Sequence, residues 1–332
     1  MRYIIYGAGA IGSGIGALLH QHGHSVVLIA RGEHEKQIKI NGLTVHTPDS
    51  TFNVKPHTVS HPKAIDWKDG DVVFLTMKLQ DTESALKELL KYTNTNTPII
   101  SAQNGVEAER MIARKFLNVY GMVVMMSATF LDPGEVTLHS TPIRGWLNVG
   151  RYPYGLDSIT KKVSSVISHS QMSSNENSQI MRLKYTKLKH NLNNALDALV
   201  GNSGRGGEVH KELNSEAEAC FTAALIDIAS EEEFDAIRPE NFKIGKVPNH
   251  PRRGTSAWQS LARGKGIEVD YLNGEIVLLG TMHNIPTPYN KAVQELALRA
   301  VRDSLPPENS SEEEIQQLAA EYSLAFDKII KT

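Results

Sequence analysis

The sequence lacks most of what would mark a special class of protein. It has a single cysteine, Cys220, in 332 residues, which excludes an internal disulfide. Cys220 lies in the apolar helical stretch from Ala217 to Ala229 and reads as a small core residue. Excess charge is also missing: the formal net charge is −2, so nothing points to nucleic acid or an anionic membrane as a partner. No apolar run approaches membrane-spanning length. The chain enters a strand at once, leaving no room for a signal peptide, and the expected compartment is the cytoplasm. There is no internal repeat, and no metal is expected. What remains is an ordinary globular balance, 40% apolar and 22% charged, long enough for two domains with real cores.

The first fifteen residues organise the rest. Arg2 to Tyr6 is a short run rich in β-branched and aromatic residues, as a buried strand would be. It runs into Gly7-Ala8-Gly9-Ala10-Ile11-Gly12, and an apolar helical stretch follows. Strand, G-x-G-x-x-G and helix in that order predict a dinucleotide site. Gly7 permits the tight turn, Gly9 lets the backbone approach a pyrophosphate, and Gly12 lets the helix pack on the strand. The helix N-terminus supplies N–H groups and a positive dipole end for the phosphates.

The residue after the second strand, Ser25 to Ala30, bears on the choice of dinucleotide. A carboxylate there would bond the ribose 2′-hydroxyl of NAD; this chain has Arg31. A guanidinium suits a 2′-phosphate in geometry and charge, so NADP is expected. Glu33 is a counter-argument, and a solvated surface cation is the plainer account of Arg31.

Further along, residues 40–45 and 52–54 read as a hairpin. Asp71 to Thr76, Pro98 to Ser101, Met122 to Thr129 and Leu147 to Gly150 read as strands, with helical stretches at Thr82 to Leu90 and Val106 to Phe116. This alternation predicts a doubly wound, largely parallel sheet. Ser170 to Asn177 is polar and without periodicity, which sets the expected domain boundary: 1–177 for the nucleotide domain and 178–332 for a mostly α-helical substrate domain.

Ligands of such sheets bind at the carboxyl ends of the strands. Lys78 and Asn104 each follow a strand on that rim; Lys78 could touch cofactor, and Asn104 the nicotinamide ribose or the substrate. Both residue types also cap loops. Hydride transfer to a carbonyl leaves a developing oxyanion, so the helical domain should offer a proton donor. Lys187, Asn191 and Asn194 are spaced i, i+4, i+7 and share a helix face beside Leu188, Leu192, Leu196 and Leu199. A solvated helix edge would show the same spacing. Thr255 or Ser256 could cap a helix, and Glu268 could belong to the first turn of the next. In the functional reading Glu268 pairs with Lys187 and Ser256 bonds a substrate carboxylate.

These motifs, together with Gln103-Asn104-Gly105, Lys187-Leu188-x-x-Asn191 and Glu268-Val269-Asp270-Tyr271-Leu272-Asn273-Gly274, resemble those of the ketopantoate reductase family. The resemblance covers essentially the whole chain. It implies an N-terminal Rossmann domain and a C-terminal all-α domain like that of 6-phosphogluconate dehydrogenase relatives. It also implies NADPH-dependent reduction of 2-dehydropantoate to pantoate on the way to coenzyme A, and a homodimer. Residue by residue, it makes Lys187 the general acid, with Glu268 holding the lysine and the substrate. Asn104, Asn191 and Ser256 become substrate contacts, and Arg31 the 2′-phosphate contact. The family's second asparagine falls here on Ala195, with Asn194 beside it, and Trp258 and Arg252-Arg253 depart from its pattern where substrate should sit. A relative that reduces another 2-oxo acid, and an NADP-binding sensor without turnover, are the alternatives. A sensor has no need of a proton donor.

Overall fold

The computed structural model describes residues 1–330. Strand β1 (Arg2–Tyr6) leads into α1 (Ala10–Gln21), β2 (Val26–Ile29), α2 (Gly32–Asn41), β3 (Leu43–His46), β4 (Thr51–Val54) and β5 (His57–Val59). Next come β6 (Asp71–Leu75), α3 (Thr82–Leu89), β7 (Ile99–Ser101), α4 (Glu107–Ala113), β8 (Val119–Met125) and β9 (Ala128–Thr129). Then follow β10 (Glu135–Leu138), β11 (Ser140–Thr141), β12 (Trp146–Arg151) and α5 (Ser158–Ser168). The later chain is nearly all helix: α6 (Ile180–Asn191), α7 (Asn193–Val200), α8 (Glu208–Ala223), α9 (Glu231–Ala236), the two-residue β13 (Lys243–Ile244), α10 (Ser256–Leu261), α11 (Asn273–His283), α12 (Pro288–Arg302) and α13 (Glu312–Ile330).

Among the described residues the largest sheet has seven strands in the order β12-β8-β7-β6-β1-β2-β5. All its pairs are parallel except β12 with β8. The strands read as continuous apolar runs because both faces are covered. One face packs Tyr3, Ile5, Leu28 and Phe74 with Ile15 and Leu18 of α1 and Val163 and Ile167 of α5. The other packs Ile4, Val27, Val73 and Leu75 with Leu86 and Leu89 of α3 and Ile112 of α4. Each such side chain contributes roughly 1.5–3 kcal/mol by leaving water.

The hairpin is present as β3 and β4, although Ile40 and Asn41 close α2 and stay out of the strand. It belongs to a second sheet, β4-β3-β10-β9. The single strand expected over Met122 to Thr129 is therefore two: β8 ends at Met125, and β9 pairs with β10 in the other sheet.

The chain divides into two compact units, residues 1–184 with 230–252, and residues 185–229 with 253–332. This differs from a division at residue 177. The polar stretch is no linker: Ser173 and Glu176 bridge to Trp146 and Val149 of β12, and Ser164 and Ser168 donate to the Ser174 carbonyl. Residues 230–252, expected in the helical domain, return to the first unit. There β13 pairs with β11, Phe234 meets the Trp146 ring edge-on, and Glu233 pairs with Arg182. Among its described residues the second unit has helices joined by loops and no strand.

Candidate dinucleotide and substrate sites

In the first unit the glycine turn joins β1 to α1. Gly7 has φ +109, and a Cβ there would lie 2.6 Å from the Met77 backbone nitrogen. A Cβ on Gly12 would lie 2.3 Å from the Gly7 carbonyl oxygen. Both positions exclude a side chain. Gly9 is different: a Cβ there would meet nothing within 4 Å, so the backbone is bare on that side. No side chain caps α1, which leaves its first N–H groups for an anion. These features fit a pyrophosphate. The turn is held from behind. The Thr76 hydroxyl donates to the carbonyls of Tyr6 and Gly7 at 3.1 and 2.8 Å. The Gly134 N–H donates to His34 Nδ1, His34 Nε2 lies 3.1 Å from the Ser13 hydroxyl, and Ser13 donates to the Ala8 carbonyl. Burial lowers the His34 pKa to about 4, so the ring is neutral at pH 7 and Nε2 is its donor.

Arg31 is exposed in extended backbone just after β2 and opens α2. It influences Tyr6: burial raises the Tyr6 pKa, and Arg31 pulls it the other way. Ala8 is buried, and Ala10 and Ile11 are half-buried at the start of α1. Lys78 and Asn104 are both half-buried, in the loops after β6 and β7. Gln103, which sequence reasoning left as a motif letter, ties these two loops together: its amide donates to the Met77 carbonyl and the Thr82 hydroxyl, each at 2.8 Å.

In the second unit, Lys187 is half-buried on α6, between buried Thr186 and Leu188. Lys187, Asn191 and Asn194, expected on one helix face, span a one-residue interruption between α6 and α7 at which Leu192 keeps right-handed helical backbone. The helix breaks at Leu192, whose N–H bonds back three residues to Lys189, and α7 starts anew at Asn193. The break still brings Asn194 and Asn191 together, amide to amide at 3.3 Å. Asn191 Nδ2 and Asn193 Oδ1 are buried here with no hydrogen-bond partner.

Glu268 is half-buried and caps a short 3₁₀ turn, Val269–Tyr271, rather than joining the first turn of a longer helix. Asn273, buried five residues past that cap, donates to the Leu192 carbonyl at 3.2 Å and to Asn290 at 3.1 Å. The Glu268 turn is thereby fixed to the α6–α7 break. Asn290 in turn donates to Glu216, whose carboxylate also accepts the Tyr289 and Asn290 backbone N–H groups at the start of α12. Burial raises the Glu216 pKa to about 7 against these bonds, which lower it. Of the two capping candidates, Thr255 caps α10; its hydroxyl also donates to the Asn194 carbonyl, and its backbone N–H donates to the Asp197 carboxylate. Ser256 is thus left exposed at the first position of α10. Trp258 rests against Gly254 and donates to Glu308. Cys220 is buried, with its thiol pKa raised to about 11 by burial, as a core residue would be.

Two family models match, ketopantoate reductase PanE/ApbA over residues 3–154 and its C-terminal domain over residues 179–300. The chain belongs to the ketopantoate reductase family. A 2-dehydropantoate 2-reductase of Pyrococcus horikoshii is 27% identical over 294 residues, covering 87% of this chain and 94% of that one. Among solved structures, a PanE/ApbA family ketopantoate reductase from Ralstonia eutropha JMP134 superposes with a TM-score of 0.78 at 28% identity, covering 92% of this chain and 99% of that one. D-mandelate dehydrogenase, solved with NADH and anilino(oxo)acetate, follows with 0.76 at 26%, covering the same shares. Ketopantoate reductase relatives of this kind support an oxidoreductase that uses a nicotinamide cofactor. Among the described residues no helix is long and apolar enough to cross a membrane.

Proposed function

We propose that this chain reduces 2-dehydropantoate to pantoate with NADPH, with Lys187 as general acid. The reading is supported by the occurrence, in one chain that matches the family in both parts, of a bare, uncapped glycine turn and of the residues Lys187 and Glu268. The turn from Gly7 to Gly12 holds the pyrophosphate, Arg31 takes the 2′-phosphate, and Lys78 and Asn104 complete the cofactor rim. The bound nicotinamide supplies the hydride. As it reaches the carbonyl carbon, the Lys187 ammonium stabilises the growing oxyanion and gives it a proton. Glu268 orients Lys187. The amides of Asn191 and Asn194 and the Ser256 hydroxyl hold the oxo acid, and the unpartnered Asn191 nitrogen supports that assignment. The working form is a cytoplasmic homodimer, checked by sedimentation of the purified chain.

A second reading, reduction of an aryl 2-oxo acid with NADH, is favoured by the likeness to D-mandelate dehydrogenase. Loss of reduced-nicotinamide absorbance, followed with both cofactors against ketopantoate and a panel of 2-oxo acids, separates the two. The first reading expects the highest kcat/KM for ketopantoate with NADPH. A preference of tenfold or more for an aryl substrate or for NADH would replace it. No turnover with any oxo acid would leave a sensor.

A further inference from the structure

The first unit contains an ion pair that the chemistry above does not use. Lys184 and Glu109 meet in the interior, with side-chain exposures of 3% and 0%. The Lys184 ammonium donates to Glu109 and also to the Ser101 hydroxyl at 3.2 Å and the Gln103 carbonyl at 3.1 Å. Ser101 ends β7 and Glu109 lies in α4, so one cation gathers the strand, the loop after it and the helix that follows. Gly121 of β8 faces the pair; a Cβ there would lie 3.3 Å from a Glu109 carboxylate oxygen and 3.4 Å from Lys184 Cδ.

As a way of holding a fold, this is poor physics. Two charges taken out of water lose several kcal/mol of hydration each, and well-packed apolar residues of like volume often serve as well or better. The cost is not fully recovered here, since Glu109 Oε2 is buried without a partner. Burial accordingly pushes the Glu109 carboxyl up, with Lys184 opposing. An apolar pair could not, however, supply N–H donors to the Gln103 carbonyl. That carbonyl is one peptide from Asn104. With the Gln103 side chain already bonded to the Met77 carbonyl, Lys184 is the second clamp on the residue that sets where Asn104 begins.

We infer that Lys184, paired with Glu109, is a positioning residue that fixes the Gln103–Asn104 backbone from which Asn104 contacts the reacting molecules. The inference rests on the proposed role of Asn104. Lys184 acts through the loop and does not itself touch substrate.

The test uses the full chain and four variants: Asn104→Ala, Lys184→Met, the double variant Lys184→Met/Glu109→Leu, which leaves no lone buried charge, and the triple variant that adds Asn104→Ala. Two measurements are made. Amide hydrogen exchange over residues 102–106 should rise about tenfold or more in the Lys184→Met/Glu109→Leu protein, with the β1 and β6 amides unchanged. Unaltered exchange in that loop would overturn the inference. In steady-state kinetics with NADPH and ketopantoate, the double variant should lower kcat/KM about tenfold. The triple variant should be no worse than Asn104→Ala alone, because both changes act on one contact. Losses that multiply would show that the pair acts elsewhere and would also overturn it. If the loop loosens as expected but Asn104→Ala leaves every kinetic constant unchanged, the role given to Asn104 is what fails. The clamp on the loop then stands as a structural one, and Lys184 loses its part in the reaction.

Discussion

In the proposed reading, the two units meet the problem of ligand recognition with different materials. The first uses backbone: a bare glycine, an uncapped helix start and carbonyls pinned by Thr76. The second uses side-chain amides gathered at a broken helix, where Asn191, Asn194 and Asn273 converge and some of their polar atoms lack partners. Backbone recognition tolerates almost no substitution and reads the same phosphate whatever the substrate. Amide recognition is cheap to alter, since one exchanged side chain changes what is bonded. A family with one cofactor class and several substrates would be expected to divide its labour in this way.

The contrast can be broken from either side. The largest effect is expected at the acid: Lys187→Ala should lower kcat by about 10²-fold or more while cofactor affinity, measured by fluorescence titration, stays within about twofold. Normal turnover would remove Lys187 from the mechanism. Next is Gly7→Ala, where φ +109 and the 2.6 Å approach to Met77 leave no room. It should weaken NADPH by at least about tenfold, since a left-handed residue alone costs about 1–2 kcal/mol. Retained affinity would mean that the turn is not the phosphate site. Arg31→Asp sharpens the cofactor side, raising KM for NADPH about tenfold and leaving KM for NADH near its starting value. Equal changes for both would disprove the 2′-phosphate contact.

Asn273→Ala tests the second unit. It strips a donor from the Leu192 carbonyl and should cost about 1–3 kcal/mol in chemical denaturation. The smallest effect is a matter of pH. The folded-state pKa of His34, about 4, lies below the ordinary 6.5, so between these values the unfolded chain binds the extra proton. Stability from His34 is complete above about pH 6.5 and drains away as pH falls toward 4. His34→Gln should make that acid limb shallower in melts run from pH 7 to 4, and an identical slope would show that the imidazole takes up its proton equally in both states.

The sequence carried the glycine turn well because its meaning is local: strand, turn and helix adjoin in the chain, and Gly7 and Gly12 have no substitute. Lys187, Glu268, Lys78 and Asn104 were proposed on another ground, as each lies within a short motif of a known family. What depended on distant partners was out of reach. Nothing in the spacing of Lys187, Asn191 and Asn194 announces a break at Leu192, which is bonded by Asn273 from 81 residues away. Nor could the Ser170 to Asn177 stretch be told from a linker, since its role is to bridge to β12. Lys184 looks like any helical lysine until Glu109, 75 residues earlier, is found beneath it.

The chain passes between its two units at three places, after Lys184, after Ala229 and after Arg252. No single cut therefore yields either unit whole, and a fragment ending at residue 177 would lack the strand and helix that complete the first. Anyone exchanging the second unit for that of a relative must graft two separate segments at once and leave residues 230–252 in place between them.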